Sequence, residues 1–256
     1  MITANRSDVG RIRHINEDRS WVGQLDNGIT LAIVADGMGG HQAGDVASQL
    51  AVNTFRDMLE KSASKADLSM QEGKMLIRQA LVMANDVVYD MASRNEQYYN
   101  MGTTIVAALY KERELIIGHI GDSRAYLITA DGIAQLTEDH TLVNELVKSG
   151  QISLDEAAHH PRRNVITRAV GTDAQVEVDI YTAALSDNDV LLLCSDGLTN
   201  MVSDELMRQT LQEDGPGLDD KADRLIQLAL HAGGDDNITV VLLQEDGAVY
   251  GGGDNG

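Results

Sequence analysis

Residues 104–120 read TIVAALYKERELIIGHI, two apolar, β-branched runs at 104–110 and 115–120 with only Lys111 to Glu114 between them. Upstream, two stretches with helical spacing follow one another. Ala47, Leu50, Ala51, Thr54 and Met58 share one face, and Leu76, Ala80, Met83, Val87 and Met91 share another. Helix after helix and then strand after strand is not the strict alternation of a doubly wound parallel sheet, so helices packed on antiparallel sheets are expected. Further runs at 31–35, 190–194 and 239–243 read as strands, and Leu225, Leu228, Ala229 and Ala232 mark a later helix. No Pro-rich linker or solenoid-length repeat interrupts the chain, and the Gly-rich stretch 247–256 reads as a loose tail.

The 256 residues correspond to between one and two domains by length, and a single domain over 1–246 is expected. With 43% hydrophobic residues, the chain can build a sizeable core without disulfides. Twenty Lys+Arg against forty Asp+Glu leave a net charge of −20, which repels phosphate backbones and anionic lipid. One Trp, one Phe and seven Tyr supply no stacking platform for single strands. Neither nucleic acid nor membrane is therefore an expected partner. The single cysteine, Cys194, excludes a disulfide framework and fits a reducing compartment. The first 18 residues lack the apolar segment of a secretory signal, and the longest apolar run, 105–110, is far short of the ~20 residues of a bilayer span. A cytoplasmic protein is the expectation. Residues 137–172 are polar, rich in histidine and sparse in apolar positions, and are expected to lie over the surface as a flap or a plain helical excursion.

Carboxylates recur where apolar runs stop. LAIVADG delivers Asp36 and Gly37, VLLLCSDG delivers Asp196 and Gly197, HIGDSRAYL places Asp122 after a run, and GGDDNITVVLL places Asp235 and Asp236 before one. A single Asp-Gly is ordinarily a turn; four such acids at strand ends suggest a shared site. If these ends converge, the like charges need a cation, and an all-oxygen donor set suits magnesium or manganese. Zinc is disfavoured because no Cys/His cluster or HExxH exists, and no EF-hand loop is present. Two divalent ions bridged by a carboxylate would suit in-line displacement at phosphorus. Arg13, in GRIRHINED, could grip phosphate oxygens bidentately. His41, in DGMGGHQAG, could protonate a leaving alkoxide. Alone, each reads as a surface residue; the neighbouring carboxylates give them weight.

In order along the chain, RIRHINED (11–18), VADGMGGHQAGDVAS (34–48), MGTTIVAAL (101–109), HIGDSRAYL (119–127), LTEDHTLVNELV (136–147), NVITRAVGT (164–172), LLLCSDGLTNMV (191–202) and GGDDNITVVLL (233–243) resemble the protein phosphatase 2C family, in its bacterial stand-alone form. The resemblance spans residues 4–244. It implies an α+β fold, a four-layer αββα sandwich of two central antiparallel β-sheets flanked by helix pairs, with a binuclear metal site at one end. By the same resemblance, Asp36 bridges two Mn2+ or Mg2+ ions, the Gly37 carbonyl binds one, and Asp196 and Asp236 bind the other. Asp18 acts through coordinated water, with Glu17 as the competing acid, and Asp122 with Asp196 holds a third, weaker ion. Arg13 is the phosphate ligand, His41 the general acid, and 137–172 the flap beside the site.

The implied reaction is attack of a hydroxide bridging the two ions on phosphoserine or phosphothreonine, without a phosphoenzyme. The implied partners are phosphorylated Ser/Thr proteins, with a Hanks-type kinase opposed by a monomeric enzyme. A narrower alternative is a phosphatase devoted to one regulator, such as an anti-sigma-factor antagonist. A rival of another class is a silent binding module, against which the joint presence of Arg13, Asp36, Asp196 and Asp236 speaks. Cysteine chemistry fails because Asn200 stands where a C-x5-R loop needs arginine, and Ser195 lacks the first glycine of a G-x-S-x-G elbow. Cys194 reads instead as a small buried hydrophobe.

Overall fold

The structure is a computed structural model that describes residues 1–25, 28–39, 43–63 and 68–245. The N-terminal part carries β1 (Ile2–Asp8), β2 (Arg19–Gln24), β3 (Thr30–Ala35) and β4 (Gly37–Met38), then α1 (Ala43–Ala63) and α2 (Met70–Arg94). Next come β5 (Gly102–Thr103), β6 (Ile105–Lys111), β7 (Glu114–Ile120), β8 (Arg124–Thr129) and β9 (Gly132–Gln135). Two short helices, α3 (Leu142–Lys148) and α4 (Leu154–Ala158), precede β10 (Asp179–Ala184) and β11 (Val190–Cys194). The chain continues through α5 (Asp196–Thr199), α6 (Asp204–Gln212), α7 (Leu218–Ala232) and β12 (Ile238–Gln244).

β6 and β7 form an antiparallel hairpin in register from Ile105 opposite Ile120 to Lys111 opposite Glu114. Its two-residue turn puts Glu112 and Arg113 at φ 50° and 69°, the left-handed geometry that matches the twist of the strands. Around it lie two five-stranded antiparallel sheets, one ordered β1-β12-β11-β8-β9 and the other β10-β7-β6-β3-β2.

Both faces of the central strands are buried, and alternation sorts their side chains between layers. Leu31, Ile33 and Ala35 of β3 pack with Ala47, Ala51, Phe55, Ile77, Leu81 and Val88 of α1 and α2. Ala32 and Val34 point the other way and meet Leu191, Leu193, Val241 and Leu243 of the facing sheet. On that sheet's outer side, Val190, Leu192 and Cys194 pack with Met207, Leu211, Leu225 and Ala229 of α6 and α7. The layers are thus helices, sheet, sheet, helices, as expected from the resemblance. Cys194 is fully buried and free, and burial pushes its thiol up to about 12, so it serves as a core hydrophobe.

Two helical faces are rotated from their expected positions. On α1 the buried stripe is Ala43, Ala47, Ala51, Phe55 and Leu59, and on α2 it is Leu76, Ile77, Ala80, Leu81, Ala84, Val88 and Ala92. Met83 is exposed, while Leu50, Met58 and Met91 pack only at the margins. The two helices lie side by side on the sheet, and alanines permit the close approach that long side chains would block. Among the described residues, no helix is long and apolar enough to cross a membrane.

His119 on β7 is wholly buried, and neither ring nitrogen has a hydrogen-bond partner among the described residues. Burial, then the neighbouring His140, pushes its pKa down to about 3. The folded chain therefore refuses a proton that the unfolded chain accepts near ~6.5, so folding loses up to about 1.4 kcal/mol per pH unit as pH falls from ~6.5 toward ~3. Against wild type, His119→Phe is expected to gain relative stability by about that slope below pH ~6. Denaturant unfolding at pH 7, 6 and 5 checks this, and a constant gap between the two proteins at all three would refute it.

Candidate active site

Five acids stand at one edge of the sandwich because antiparallel pairing brings strand starts beside strand ends. Asp36 follows β3, Asp122 follows β7, Asp196 follows β11, Asp18 precedes β2 and Asp236 precedes β12. The register sets Ala35 opposite Arg19 in one sheet and Cys194 opposite Val240 in the other. Asp18 and Asp122 are buried, and Asp36, Asp196 and Asp236 are half-buried.

The acids share one electrostatic field. Burial first, then the charges of Asp18, Asp196, Asp122 and Asp236, holds the Asp36 carboxyl well above the ordinary range. Burial pushes Asp18 up to about 7 despite hydrogen bonds from Thr239 and Ser195, and Asp122 up to about 8 with help from Asp196. Asp196 is raised by burial and by Asp236, while hydrogen bonds with Asp36 and Asn200 oppose the shift. Arg13, half-exposed, donates to Asp236 Oδ2 at 2.8 Å across 223 positions of sequence.

Among the described residues, no three acidic, histidine or cysteine side chains form a closed cage around one point. Arg13 offsets part of the repulsion through its ion pair with Asp236. The donor chemistry nonetheless fits hard divalent cations: Glu17 Oε1, Asp18 Oδ1, Asp122 Oδ1 and Asp196 Oδ1 are buried without any hydrogen-bond partner among the described residues. A buried carboxylate oxygen left unpaired is costly, and an oxygen-seeking cation is the partner such a set lacks. Glu17 and Asp18 both contribute an orphan oxygen. Glu17 lies against Gly44 of α1, where an added Cβ would stand 2.5 Å from Oε1, and burial raises its pKa.

Hydroxyls and an amide hold this edge in shape. Ser195 donates to Asp18 Oδ2 at 2.7 Å and accepts from the Thr239 amide at 3.0 Å, tying one sheet to the other. The Asp36 amide donates to Thr104 Oγ1 at 3.0 Å, its carbonyl accepts from Thr103 Oγ1 at 2.8 Å, and Thr104 pairs with Ser123 at 2.7 Å. Asn237 donates to the Val9 and Ile15 carbonyls and accepts from the Glu17 amide, which docks the Arg13 loop beside Asp236. Sequence reading missed these groups; the only signal was their place beside the acids in the motifs. Of the residues expected at the site, the structure brings Arg13, Asp18, Asp36, Asp122, Asp196 and Asp236 together, with Gly37 directly after Asp36. His41 lies outside the described residues. Asp235 is exposed.

A family model described as "Protein phosphatase 2C" matches residues 13–225. The chain belongs to the protein phosphatase 2C family. Within this family it is 43% identical over 241 residues to the serine/threonine phosphatase stp of Listeria monocytogenes, covering 94% of each chain. The solved serine/threonine phosphatase of S. agalactiae superposes with a TM-score of 0.89 at 38% identity, covering 96% of this chain and 99% of that one. The catalytic domain of the serine/threonine phosphatase PstP, solved in complex with two manganese ions, superposes with a TM-score of 0.79 at 36% identity, covering 94% and 96%. The chain is accordingly a phosphoprotein phosphatase of the Ser/Thr class.

The 137–172 segment stands beside that edge. Its middle, with α3 and α4, is mostly exposed, whereas Thr137, His140 and Thr141 at its entry and Ala169 and Val170 at its exit are buried. A bridge between Thr141 and Ile166 closes its base. Between it and the core runs a groove of about 620 Å³ whose lining includes Asp122, Asp196, Asn200, Val147 and Leu154.

Proposed function

We propose that this phosphatase is metal-dependent and uses Asp36, the Gly37 carbonyl, Asp196 and Asp236 to hold two Mn2+ or Mg2+ ions. Asp18, with Glu17 beside it, supports the site, and Asp122 with Asp196 takes a third, weaker ion. The observation that carries this reading is the group of four buried, unpartnered carboxylate oxygens contributed by both sheets at one edge. When bound, such ions supply Lewis acidity that activates water for in-line displacement at phosphorus and neutralise developing charge. Arg13 leaves Asp236 as that carboxylate finds a cation, and its guanidinium orients two oxygens of the phosphoryl group. His41 delivers a proton to the departing serine or threonine oxygen. The groove beside 137–172 receives the chain flanking the phosphoresidue.

The whole unit, 1–246 with its flap, acts as one monomeric catalytic domain on phosphoserine and phosphothreonine proteins. It works in the cytoplasm and opposes a Hanks-type kinase, a role supported by its likeness to bacterial stand-alone phosphatases. Hydrolysis of an aryl phosphate by the purified chain, with manganese and then with chelator, tests the metal requirement. Turnover indifferent to chelation would overturn it. For His41→Ala, we expect kcat on a phosphothreonine peptide to fall about a hundredfold and on an aryl phosphate by less than about fivefold, because an aryl oxide leaves without protonation. Equal losses on the two substrates would remove His41 from the proton-donor role.

A further inference from the structure

His140, at the entry of the 137–172 segment, makes more connections than its place before a surface excursion requires. Its backbone amide donates to the Gly121 carbonyl at 2.8 Å, and its Nδ1 accepts from the Gly121 amide at 2.9 Å, so one residue satisfies both backbone groups of the other. Its carbonyl accepts from the Thr167 amide at 2.8 Å, tying entry to exit. Its Nε2 stands 3.0 Å from Asp179 Oδ2 on β10. Below, its ring lies against that of His119, with centroids 4.7 Å apart.

The tautomer follows from these partners. Nδ1 must be bare to accept the Gly121 amide, so the neutral ring carries its proton on Nε2 and donates it to Asp179. Burial, which lowers the His140 pKa, favours this neutral form. Arg168 approaches the same nitrogen at 3.0 Å and Asp179 Oδ1 at 3.3 Å; with Nε2 already a donor, its guanidinium serves the carboxylate.

Gly121 is itself constrained. Its φ is +115°, and a Cβ there would lie 2.6 Å from the Thr104 side chain. The turn it makes delivers Asp122, whose Oδ1 is buried and unpartnered, and Ser123, which pairs with the Thr104 hydroxyl beside Asp36. We infer that His140 is a positioning residue that fixes the Gly121–Asp122 turn to the base of the 137–172 segment, setting the register between groove wall and carboxylate cluster. His140 does not line the groove, unlike its neighbours Asp139 and Thr141, and acts through Gly121.

The inference rests on the reading of Asp122 as a cation ligand, and the experiment separates the two. Manganese binding to the full chain is measured by calorimetry, and amide exchange across 137–170 by mass spectrometry, for wild type, His140→Ala and His140→Asn. His140→Ala is expected to weaken manganese binding at the weakest site about tenfold and to speed exchange in 137–170 by at least about tenfold, with the sheet cores unchanged. His140→Asn puts an acceptor where Nδ1 stands and is expected to recover most of both losses. If His140→Ala does not fold, His140→Asn is compared with His140→Gln, whose amide reaches toward Asp179 instead, and Asn must outperform Gln. Wild-type behaviour in His140→Ala, or Asn no better than Ala or Gln, overturns the positioning role. Failure of wild type itself to bind manganese overturns the cation-site reading instead.

Discussion

Asp36→Asn is expected to lower kcat/KM on an aryl phosphate at saturating manganese by about a thousandfold, or ~4 kcal/mol of transition-state stabilisation. The same substitution should leave the chelator-treated protein as stable as wild type or more so. Asp36 sits in the field of Asp18, Asp196, Asp122 and Asp236, and burial already holds its carboxyl well above the ordinary range. An amide of the same shape removes a source of like-charge repulsion, and its oxygen can still accept hydrogen bonds. The backbone contacts to Thr103 and Thr104 involve the Asp36 amide and carbonyl, which the substitution keeps. A residue retained only for structure would show the reverse pattern, losing stability while sparing turnover. Activity within tenfold of wild type, measured with thermal unfolding in chelator, would remove Asp36 from the centre of the site.

Gly197→Ala is expected to cost about 3 kcal/mol or more and to lower Tm by roughly 6–12 °C. Gly197 stands in α5, directly after Asp196, and a Cβ there would sit 1.9 Å from the Asn237 carbonyl oxygen and 2.9 Å from its carbon. Both obstructing atoms are backbone, so no rotamer change relieves the overlap. The start of β12 must move away from α5, carrying Asp236 away from Asp196. Asn237 also grips the Val9 and Ile15 carbonyls and the Glu17 amide, so the displacement passes to the loop that carries Arg13. Manganese affinity should fall together with stability. Gly132→Ala is the matched control, since nothing lies within 4 Å of a Cβ at that position. A Gly197→Ala protein unfolding within about 2 °C of wild type, with unchanged manganese binding, would show that the two segments separate without cost.

The strands that were legible in sequence, 31–35, 104–110, 115–120, 190–194 and 239–243, lie in the interior of the two sheets. Buried on both faces, they read as unbroken apolar runs. The strands not recognised include all four sheet edges, β1, β2, β9 and β10. ITANRSD in β1 and RSWVGQ in β2 are largely half-buried, so their composition resembles that of loops. β8, with the sequence RAYLIT, opens on Arg124, which is held bidentately by Asp139, a partner that composition does not announce. The helical faces were misplaced by about one position, because the apolar residues of α1 and α2 cover the sheet and each other. Which part of a broad apolar surface faces inward depends on the neighbour.

Local residue types alone determined the interior strands and the acids at their ends. These are properties of stretches about ten residues long, and such stretches carry their own turn and strand preferences. Tertiary structure alone decided that the acids meet at one edge. That required Asp18 to reach Ser195 across 177 positions and Arg13 to reach Asp236 across 223. Burial of both faces of each sheet sets the strand order, and strand order sets which ends are neighbours. The burial and, after it, the charge repulsion that raise these carboxyls arise only once the ends have met.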